Sequence, residues 1–183
     1  MLALALVLAA CRRKPELPDL GVLPEFKLQD QDGRVAGSAT LRGGVWVAAF
    51  MFTRCPTICP RITRRMRELQ VEASARKVPL TFVSLSVDPD NDTPEVLRAY
   101  AQKYEADPVN WRFLTGDLEV IRKTSVDGFK MALDGKADAT QPDYGILHGS
   151  HLVLVDRGLR IRGFYRTESA EETARLLEDA ARL

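Results

Sequence analysis

Two cysteines that lie close together in the sequence are the residues best suited to chemistry. Cys55 and Cys59 stand in the segment TRCPTICPR, residues 53–61, with three residues between them. A thiolate is both a nucleophile and a soft metal ligand, and a helix N-terminus lowers its pKa. The spacing allows the two sulfurs to form a disulfide or to bind one metal ion. It is also compatible with two buried core thiols, and spacing alone leaves all three possibilities open.

The metal that such a pair would bind depends on a further ligand. The chain has two histidines, His148 and His151, and both lie in the segment ILHGSHLVLV. Two thiolates favour Cu(I), or zinc where two more ligands complete a tetrahedron. Two sulfurs and one imidazole make three ligands, which copper accepts readily, so copper is the better match. Spacing does not choose between the histidines, and a lone histidine is more often a core or surface residue than a ligand.

The N-terminus predicts export and a lipid anchor. Residues 1–10, MLALALVLAA, carry no charged side chain. This run is shorter than the roughly 20 residues of a membrane span, and it is typical of the apolar part of an export signal. The following Cys11 completes a segment, LAAC, that resembles the lipobox of bacterial lipoproteins, whose cysteine is lipidated. The alternative is a short buried segment with an incidental cysteine.

We therefore expect residues 11–24, which contain three prolines, to form an extended tether from a lipid on Cys11. The protein would then lie on the outer, periplasmic side of the bacterial cytoplasmic membrane. Export would also place the other two cysteines in an oxidising compartment, where a disulfide is permitted.

The overall composition indicates an ordinary globular domain. The 183 residues suit one domain with an appendage, and 45% of them are hydrophobic. Lys and Arg total 26 against 25 for Asp and Glu, so the net charge is +1. This balance argues against nucleic acid as a partner, because nucleic-acid-binding domains usually have a strongly basic face.

Hydrophobic periodicity predicts an α/β sheet that is covered by helices on both faces. The predicted strands are Phe26–Gln29, Val45–Phe52, Leu80–Val87, Trp111–Leu114 and the hairpin of Leu152–Val155 with Arg160–Tyr165. The predicted helices begin at Ile58 and at Pro94, and two more cover Asp117–Val126 and Ser169–Arg182. The cysteine segment follows the carboxyl end of the Val45–Phe52 strand, where α/β proteins place their functional sites.

Four segments together resemble the Sco/SenC family of copper-binding, thioredoxin-like proteins. They are TRCPTICP, SVDPDNDTPEVLRAYA, LTG after a tryptophan, and ILHGSHLVLVDRGLRIRGFY, and the resemblance covers roughly residues 22–182. It implies a thioredoxin-like domain over residues 25–183 with a central mixed sheet and an added β-hairpin. The turn DRGLR departs from the Pro-Asp-Gly type of many relatives, which concerns the hairpin rather than the ligands.

The resemblance also implies a ligand set. Cys55, Cys59 and His148 match the family's copper ligands, for Cu(I), Cu(II) or both, and His151 is the second choice for the imidazole. Asp88 matches an acidic residue near the family's site. It could equally be a turn-capping aspartate before Pro89.

Three functions follow as hypotheses. The resemblance implies copper delivery to the binuclear copper site of cytochrome c oxidase subunit II, reduction of the cysteines of that site, or exchange with another copper-donating or copper-accepting protein. The rival is a thiol–disulfide oxidoreductase or redox sensor, in which Cys55 attacks and Cys59 resolves. A peroxidase-like reaction assisted by Arg54 or Arg61 fits less well, because two cysteines in one short loop suit metal binding better. We expect no conventional enzyme beyond a possible oxidoreductase activity.

Overall fold

The computed structural model describes residues 15–135 and 147–183, and for residues 147 and 148 it describes the backbone alone. The strands are β1 (Lys27–Asp30), β2 (Val35–Gly37), β3 (Val45–Met51), β4 (Leu80–Ser86), β5 (Trp111–Thr115), β6 (Leu133–Asp134), β7 (Leu147–His148), β8 (His151–Val155) and β9 (Ile161–Arg166). The helices are α1 (Ser38–Leu41), α2 (Ile58–Ala75), α3 (Pro94–Lys103), α4 (Leu118–Lys123) and α5 (Ala170–Ala180), and a π-helical turn at Thr124–Gly128 continues α4.

A mixed seven-stranded sheet forms the centre of the domain. Its strand order is β2-β1-β5-β4-β3-β8-β9. Strands β3, β4 and β5 are parallel to one another, and β1, β8 and β9 each pair antiparallel with their neighbours. Every residue of β3 is buried, as a central strand covered on both faces requires. The predicted α/β sheet with a terminal hairpin is therefore confirmed.

Helices cover both faces of this sheet. Right-handed crossovers place α2 and α3 on one face, where the hydroxyls of Thr63 and Tyr100 lie 3.0 Å apart. On the other face, Phe129 follows the π turn and packs edge-to-face on Trp46 and Phe50, at centroid distances of 5.9 and 5.3 Å. Trp46 and Phe50 share a face because alternate strand residues point to opposite sides. The core is thus continuous across the sheet.

The end of α4 differs from the prediction. A regular helix was expected over Asp117–Val126, whereas the helix proper ends at Lys123 and the chain widens into the π turn. The N–H of Phe129 donates to the carbonyl of Thr124, five residues back, at 2.9 Å. We attribute the wider turn to the Phe129 ring, whose tertiary packing overrides the local helical pattern.

The predicted tether also differs from the structure in part. Its last residues run along β9: Leu20 N–H donates to the Ile161 carbonyl and Leu23 N–H to the Leu159 carbonyl, both at 2.9 Å. Leu23 is only 3% exposed, and Arg160 binds the carboxylate of Asp19 through two nitrogens at 2.8 and 2.5 Å. The folded body therefore includes this strip and begins before residue 25. Residues 1–14, including Cys11, lie outside the described residues.

Candidate metal centre

The two cysteines lie at the junction between β3 and α2, at the carboxyl edge of the central strands. Helix α2 begins at Ile58, so Cys59 is its second residue and Cys55 precedes it, as the sequence predicted. Cys55 is 6% exposed and Cys59 is fully buried. Both are in the thiol form, with no disulfide between them. The pair is thus held at a sheet edge, with Cys55 the more accessible sulfur.

The sulfur of Cys55 occupies the place of a helix cap. Thr57, the N-cap residue of α2, makes no side-chain cap hydrogen bond. The N–H of Cys59 instead donates to Cys55 Sγ at 3.4 Å, and the N–H groups of Thr57 and Ile58 also bind this sulfur. Pro60, the third helical residue, has no N–H to satisfy. The free N–H groups at the start of α2 therefore converge on one thiol.

This arrangement separates the acidities of the two thiols. A hydrogen bond from the Cys59 thiol, together with the N–H groups of Thr57, Ile58 and Cys59, lowers the pKa of Cys55 to about 5. The same bond and burial raise the pKa of Cys59, which acts as the proton donor of the pair. At neutral pH one sulfur is therefore an ionised nucleophile and ligand, while its neighbour keeps its proton.

Asp88 is connected to the cysteine loop through Arg54. Its carboxylate is 4% exposed and accepts hydrogen bonds from Arg54 Nε and Nη2 at 3.1 and 2.7 Å. The main chain of Asp88 also stabilises the turn before α3: its carbonyl accepts hydrogen bonds from the N–H groups of Asn91 and Asp92. Burial raises the pKa of the Asp88 carboxyl, which Arg54 opposes. Asp88 thus holds the residue next to Cys55, and a role toward a metal stays a prediction.

Asp92 is a site residue whose role the sequence reasoning did not identify. It is fully buried, and its carboxylate accepts the N–H of Thr53 at 3.1 Å and its hydroxyl at 2.5 Å. The hydroxyl of Ser86 donates to the same carboxylate at 2.6 Å. Asp92 therefore ties the carboxyl ends of β3 and β4 together beneath the cysteine loop. The sequence signal for this residue is the segment SVDPDNDT, where it was noted only as part of a motif and a helix start.

The histidine segment reaches the same edge of the sheet. Strand β8 is antiparallel to β3, with Ala48 opposite Val153, so the start of β8 lies beside the carboxyl end of β3. His151 is the first residue of β8 and is exposed. Residue His148 lies in β7 and pairs with Leu133 of β6. The side chain of His148 lies outside the described residues, so its choice as the third ligand stays a prediction.

The described side chains supply two of the three expected ligands. Within residues 15–135 and 147–183, leaving out the side chains at 147 and 148, no three cysteine, histidine or carboxylate groups come close enough to hold a metal ion. Two adjacent sulfurs, one of them ionised at neutral pH, make a soft donor pair that fits Cu(I). The topology brings the strand after His148 to this pair.

A mixed sheet with a cysteine pair at the start of the helix after a central strand defines a thioredoxin-like dithiol protein. The chain belongs to the SCO1/SenC family, whose family model matches residues 16–182. Both the predicted family and the predicted thioredoxin-like fold are confirmed.

Curated relatives agree with this assignment. The chain is 37% identical over 131 residues to a SCO1 protein homologue of Bacillus subtilis. The aligned residues make up 71% of this chain and 66% of that protein's length. It is 33% identical over 153 residues to a protein of Stutzerimonas stutzeri whose name describes it as copper-binding, covering 82% of this chain and 72% of the relative.

Solved structures share the fold. A SCO1/SenC family lipoprotein from Bacillus anthracis superposes with a TM-score of 0.84 at 38% identity, over 92% of this chain and 99% of the other. BsSco, described as a member of the Sco family of cytochrome c oxidase assembly proteins in which a disulfide switch was identified, matches at 31% identity and a TM-score of 0.79, over the same shares of the two chains. In the described part of this chain, no helix combines the length and the apolar character of a membrane span.

Proposed function

We propose that this protein is a copper metallochaperone whose cargo, a single copper ion, is bound by Cys55, Cys59 and His148. Family membership and the copper-binding relative support copper as the cargo. The observation that carries the proposal is the meeting of two cysteine thiols at the sheet edge to which the strand after His148 returns.

The residues of the loop suit a site that binds and releases a soft cation. The ionised sulfur of Cys55 is stabilised by the Cys59 thiol and by backbone N–H groups rather than by a permanent cation, so it can exchange those hydrogen bonds for a metal bond. Cys59 must lose its proton to become a second thiolate ligand, and binding is therefore linked to proton release. Oxidation of the pair to a disulfide removes both sulfur ligands, which makes the thiol state a control on metal binding.

Copper titration tests this ligand set. In a Cys11→Ser background, reduced protein is titrated with Cu(I) against a competing chelator, and with Cu(II) under absorbance and paramagnetic resonance. We expect one copper per chain, and a loss of tight binding in Cys55→Ser and in Cys59→Ser. His148→Ala should weaken mainly Cu(II), because imidazole stabilises the oxidised ion more than soft sulfur does.

His151→Ala is the matched control, since it removes an imidazole three residues away on the same segment. It should keep the thiolate-to-copper absorption band of the unmodified protein. If His151→Ala lost the band and His148→Ala kept it, the third ligand would be His151. Reduced protein that bound no copper would refute the chaperone function itself.

The acceptor is the second part of the proposal. We infer that the copper is delivered to the binuclear copper site of cytochrome c oxidase subunit II, or that Cys55 and Cys59 reduce the cysteines of that site before delivery. BsSco, the family member described with oxidase assembly, supports this choice. Deletion of the gene in its native host should lower oxidase activity, and a Cys55→Ser copy should fail to restore it. Full oxidase activity in the deletion strain would point to another copper-accepting protein.

We also infer that the protein is exported and anchored by a lipid on Cys11, with residues 1–10 as the cleaved signal. The lipoprotein from Bacillus anthracis supports this location. Mass spectrometry of the mature protein should find an N-terminal diacylated cysteine, and Cys11→Ser should move the protein from the membrane fraction to the soluble fraction. An unmodified N-terminus that still begins at Met1 would contradict the anchor.

A thiol–disulfide oxidoreductase is the second candidate, and the unequal pKa values of the two thiols favour it. The Cys55 thiolate would attack a substrate disulfide and expel one substrate sulfur as a thiolate. Cys59 would then give up its proton and displace the second, so that the pair loses two electrons and the substrate gains two. Reduction of a disulfide substrate that survives both copper chelation and His148→Ala would assign this activity.

A further inference from the structure

The first turns of α2 carry charge of the sign that a helix N-terminus disfavours. The positive end of the helix dipole is stabilised by acidic residues, and α3, α4 and α5 each have one or more in their first turn. Helix α2 has none there and instead carries Arg61, Arg64 and Arg65 within its first eight residues. We call these three residues the arginine patch. Arg65 is paired within the helix, but the charges of Arg61 and Arg64 oppose the helix dipole, which is compatible with a role in binding rather than in stability.

Two members of the arginine patch face solvent without an ionic partner. Arg65 Nη1 binds Glu68 at 2.6 Å, and its Nε donates to the Thr167 carbonyl at 3.1 Å. Arg61 and Arg64 are exposed, and among the described residues neither forms an ion pair. Each of these two side chains therefore retains a full charge and free N–H donors for a binding partner.

The arginine patch borders a small open cavity. All three arginines line a space of about 280 Å³, with Glu68, Thr167 and Glu168 on its remaining walls. The two acidic residues limit the local charge, but Glu68 is already engaged by Arg65. The exposed guanidinium groups of Arg61 and Arg64 can thus bind a carboxylate presented from outside, in the paired geometry that Arg and carboxylate groups favour.

We propose that the arginine patch docks an acidic face of the partner protein, so that the partner's own site meets Cys55. The inference rests on the proposed exchange at this edge, because Arg61 follows Cys59 by two residues on the same helix. The net charge of the chain is only +1, so unpaired positive charge beside the cysteines is a local feature. Such a local field speeds the encounter with a partner of opposite charge and fixes its orientation.

An acidic protein fits this location better than a lipid surface. The cysteines are buried behind the exposed Pro56 and Thr57, so only a group that projects from its own surface can reach them. A flat membrane could contact the arginines but would not reach the thiols. The patch therefore serves a partner whose reactive group projects toward Cys55.

A set of disulfide peptides tests the proposal without copper. Three cyclic peptides share one Cys-x-x-x-Cys loop and differ only in flanks of Asp and Glu, of Gly and Ser, or of Lys and Arg. Reduced Cys11→Ser protein is mixed with each peptide, and peptide dithiol is followed over time. In each turnover the Cys55–Cys59 pair is oxidised to its disulfide by two electrons, and the peptide disulfide is reduced by the same two.

At 20 mM salt we expect the acidic peptide to react about 10 times faster than the basic one, a modest value for electrostatic steering. The ratio should fall toward about 2 at 0.5 M salt, where the Debye length is about 4 Å. Arg61→Gln/Arg64→Gln should lower the ratio at low salt to the same range. The control is Lys77→Gln/Lys103→Gln, which makes the same change in net charge at two exposed residues. Lys77 lies past the far end of α2, about 20–24 Å along the helix axis from Arg64 and Arg61, and this control should keep the full ratio.

The outcomes separate this inference from the copper function. Equal rates for all three peptides, with normal copper titration, would refute the docking role and leave the chaperone function intact. A preference for the acidic peptide in a protein that binds no copper would support the docking role and refute the chaperone function. Binding of the soluble protein to phosphatidylglycerol vesicles that is lost in Arg61→Gln/Arg64→Gln, together with equal peptide rates, would assign the arginine patch to the membrane and overturn the proposal.

Discussion

Replacement of Cys59 provides the sharpest test of how the cysteine loop controls its thiols. Of the groups that lower the pKa of Cys55 to about 5, the Cys59 thiol contributes most, followed by the backbone N–H groups at the start of α2. Cys59→Ala removes the thiol donor and keeps the backbone donors. Cys59→Ser keeps a hydroxyl donor at nearly the same place, so the two variants differ chiefly in one hydrogen bond.

The expected shift follows from the strength of that bond. A hydrogen bond to a charged group contributes about 1.5–3 kcal/mol, and about 1.4 kcal/mol corresponds to one pKa unit. Cys59→Ala should therefore raise the pKa of Cys55 by about 1–2 units, whereas Cys59→Ser should change it by less than about one unit. Thiolate absorbance near 240 nm and the rate of alkylation, both followed against pH in a Cys11→Ser background, give the pKa directly.

The same titration predicts how stability depends on pH. The pKa of Cys55 in the folded protein, about 5, lies below its ordinary value of 9.0, so its ionisation stabilises the fold fully above pH 9 and the effect is lost as pH falls through 5. Four units correspond to at most about 5 kcal/mol. The difference in free energy of unfolding between the reduced protein and Cys55→Ser should therefore grow from pH 5 to pH 9. The raised pKa of Cys59 opposes this rise only above pH 9.

Two results would refute this account. One is a reduced protein in which no thiol titrates below pH 8. The other is a Cys55→Ala variant in which Cys59 titrates near pH 5, because that would make Cys59 the nucleophile and reverse the roles derived from the structure.

Three further substitutions probe the supports of the loop. Asp92→Ala removes the acceptor of the Thr53 N–H and hydroxyl and of the Ser86 hydroxyl, so urea unfolding should show a loss of about 2–4 kcal/mol, with Asp92→Asn losing less. Arg54→Ala leaves a buried carboxylate without its cation. Since Arg54 is partly exposed, we expect the free energy of unfolding to fall by about 1–3 kcal/mol, which is less than the loss of a fully buried ion pair would cost. An unchanged free energy of unfolding would show that the pair does not stabilise the fold. A Cβ on Gly149 would meet the terminal methyl of Met131, a flexible side chain that can rotate aside, so Gly149→Ala should lower the unfolding midpoint only slightly, and a large drop would show that Met131 is locked in place.

Local patterns predicted the main elements and the position of the cysteines. The apolar run of β3 and the helical spacing after Ile58 are signals within a few residues, and they fix where Cys55 and Cys59 stand relative to a strand end and a helix start. The position of the cysteine pair at the edge of the sheet followed from these two signals alone.

Contacts between distant residues could not be predicted in the same way. Asp92 binds Thr53 across 39 residues, and nothing in the periodicity around either residue records the pairing. The strip from Leu17 to Leu23 belongs to the predicted extended tether, a prediction that rests on the three prolines of residues 11–24. It pairs with β9 because an edge strand offers unpaired main-chain groups to any extended segment nearby, a property of the folded sheet rather than of the strip.

The docked strip limits how far the domain can move from a bilayer. The carbonyl of Leu17 is already held by Arg162 at 2.8 Å, so the chain takes only six Cα-to-Cα steps from Cys11 to a fixed point on the body. Even fully stretched, they reach about 20 Å. With a lipid on Cys11, Leu17 would stay within about 20 Å of the membrane. The strip binds residues 159–161, beside the amino end of β3, whereas the cysteines follow its carboxyl end, so the cysteine edge could reach acceptors that lie farther out by about the length of that strand.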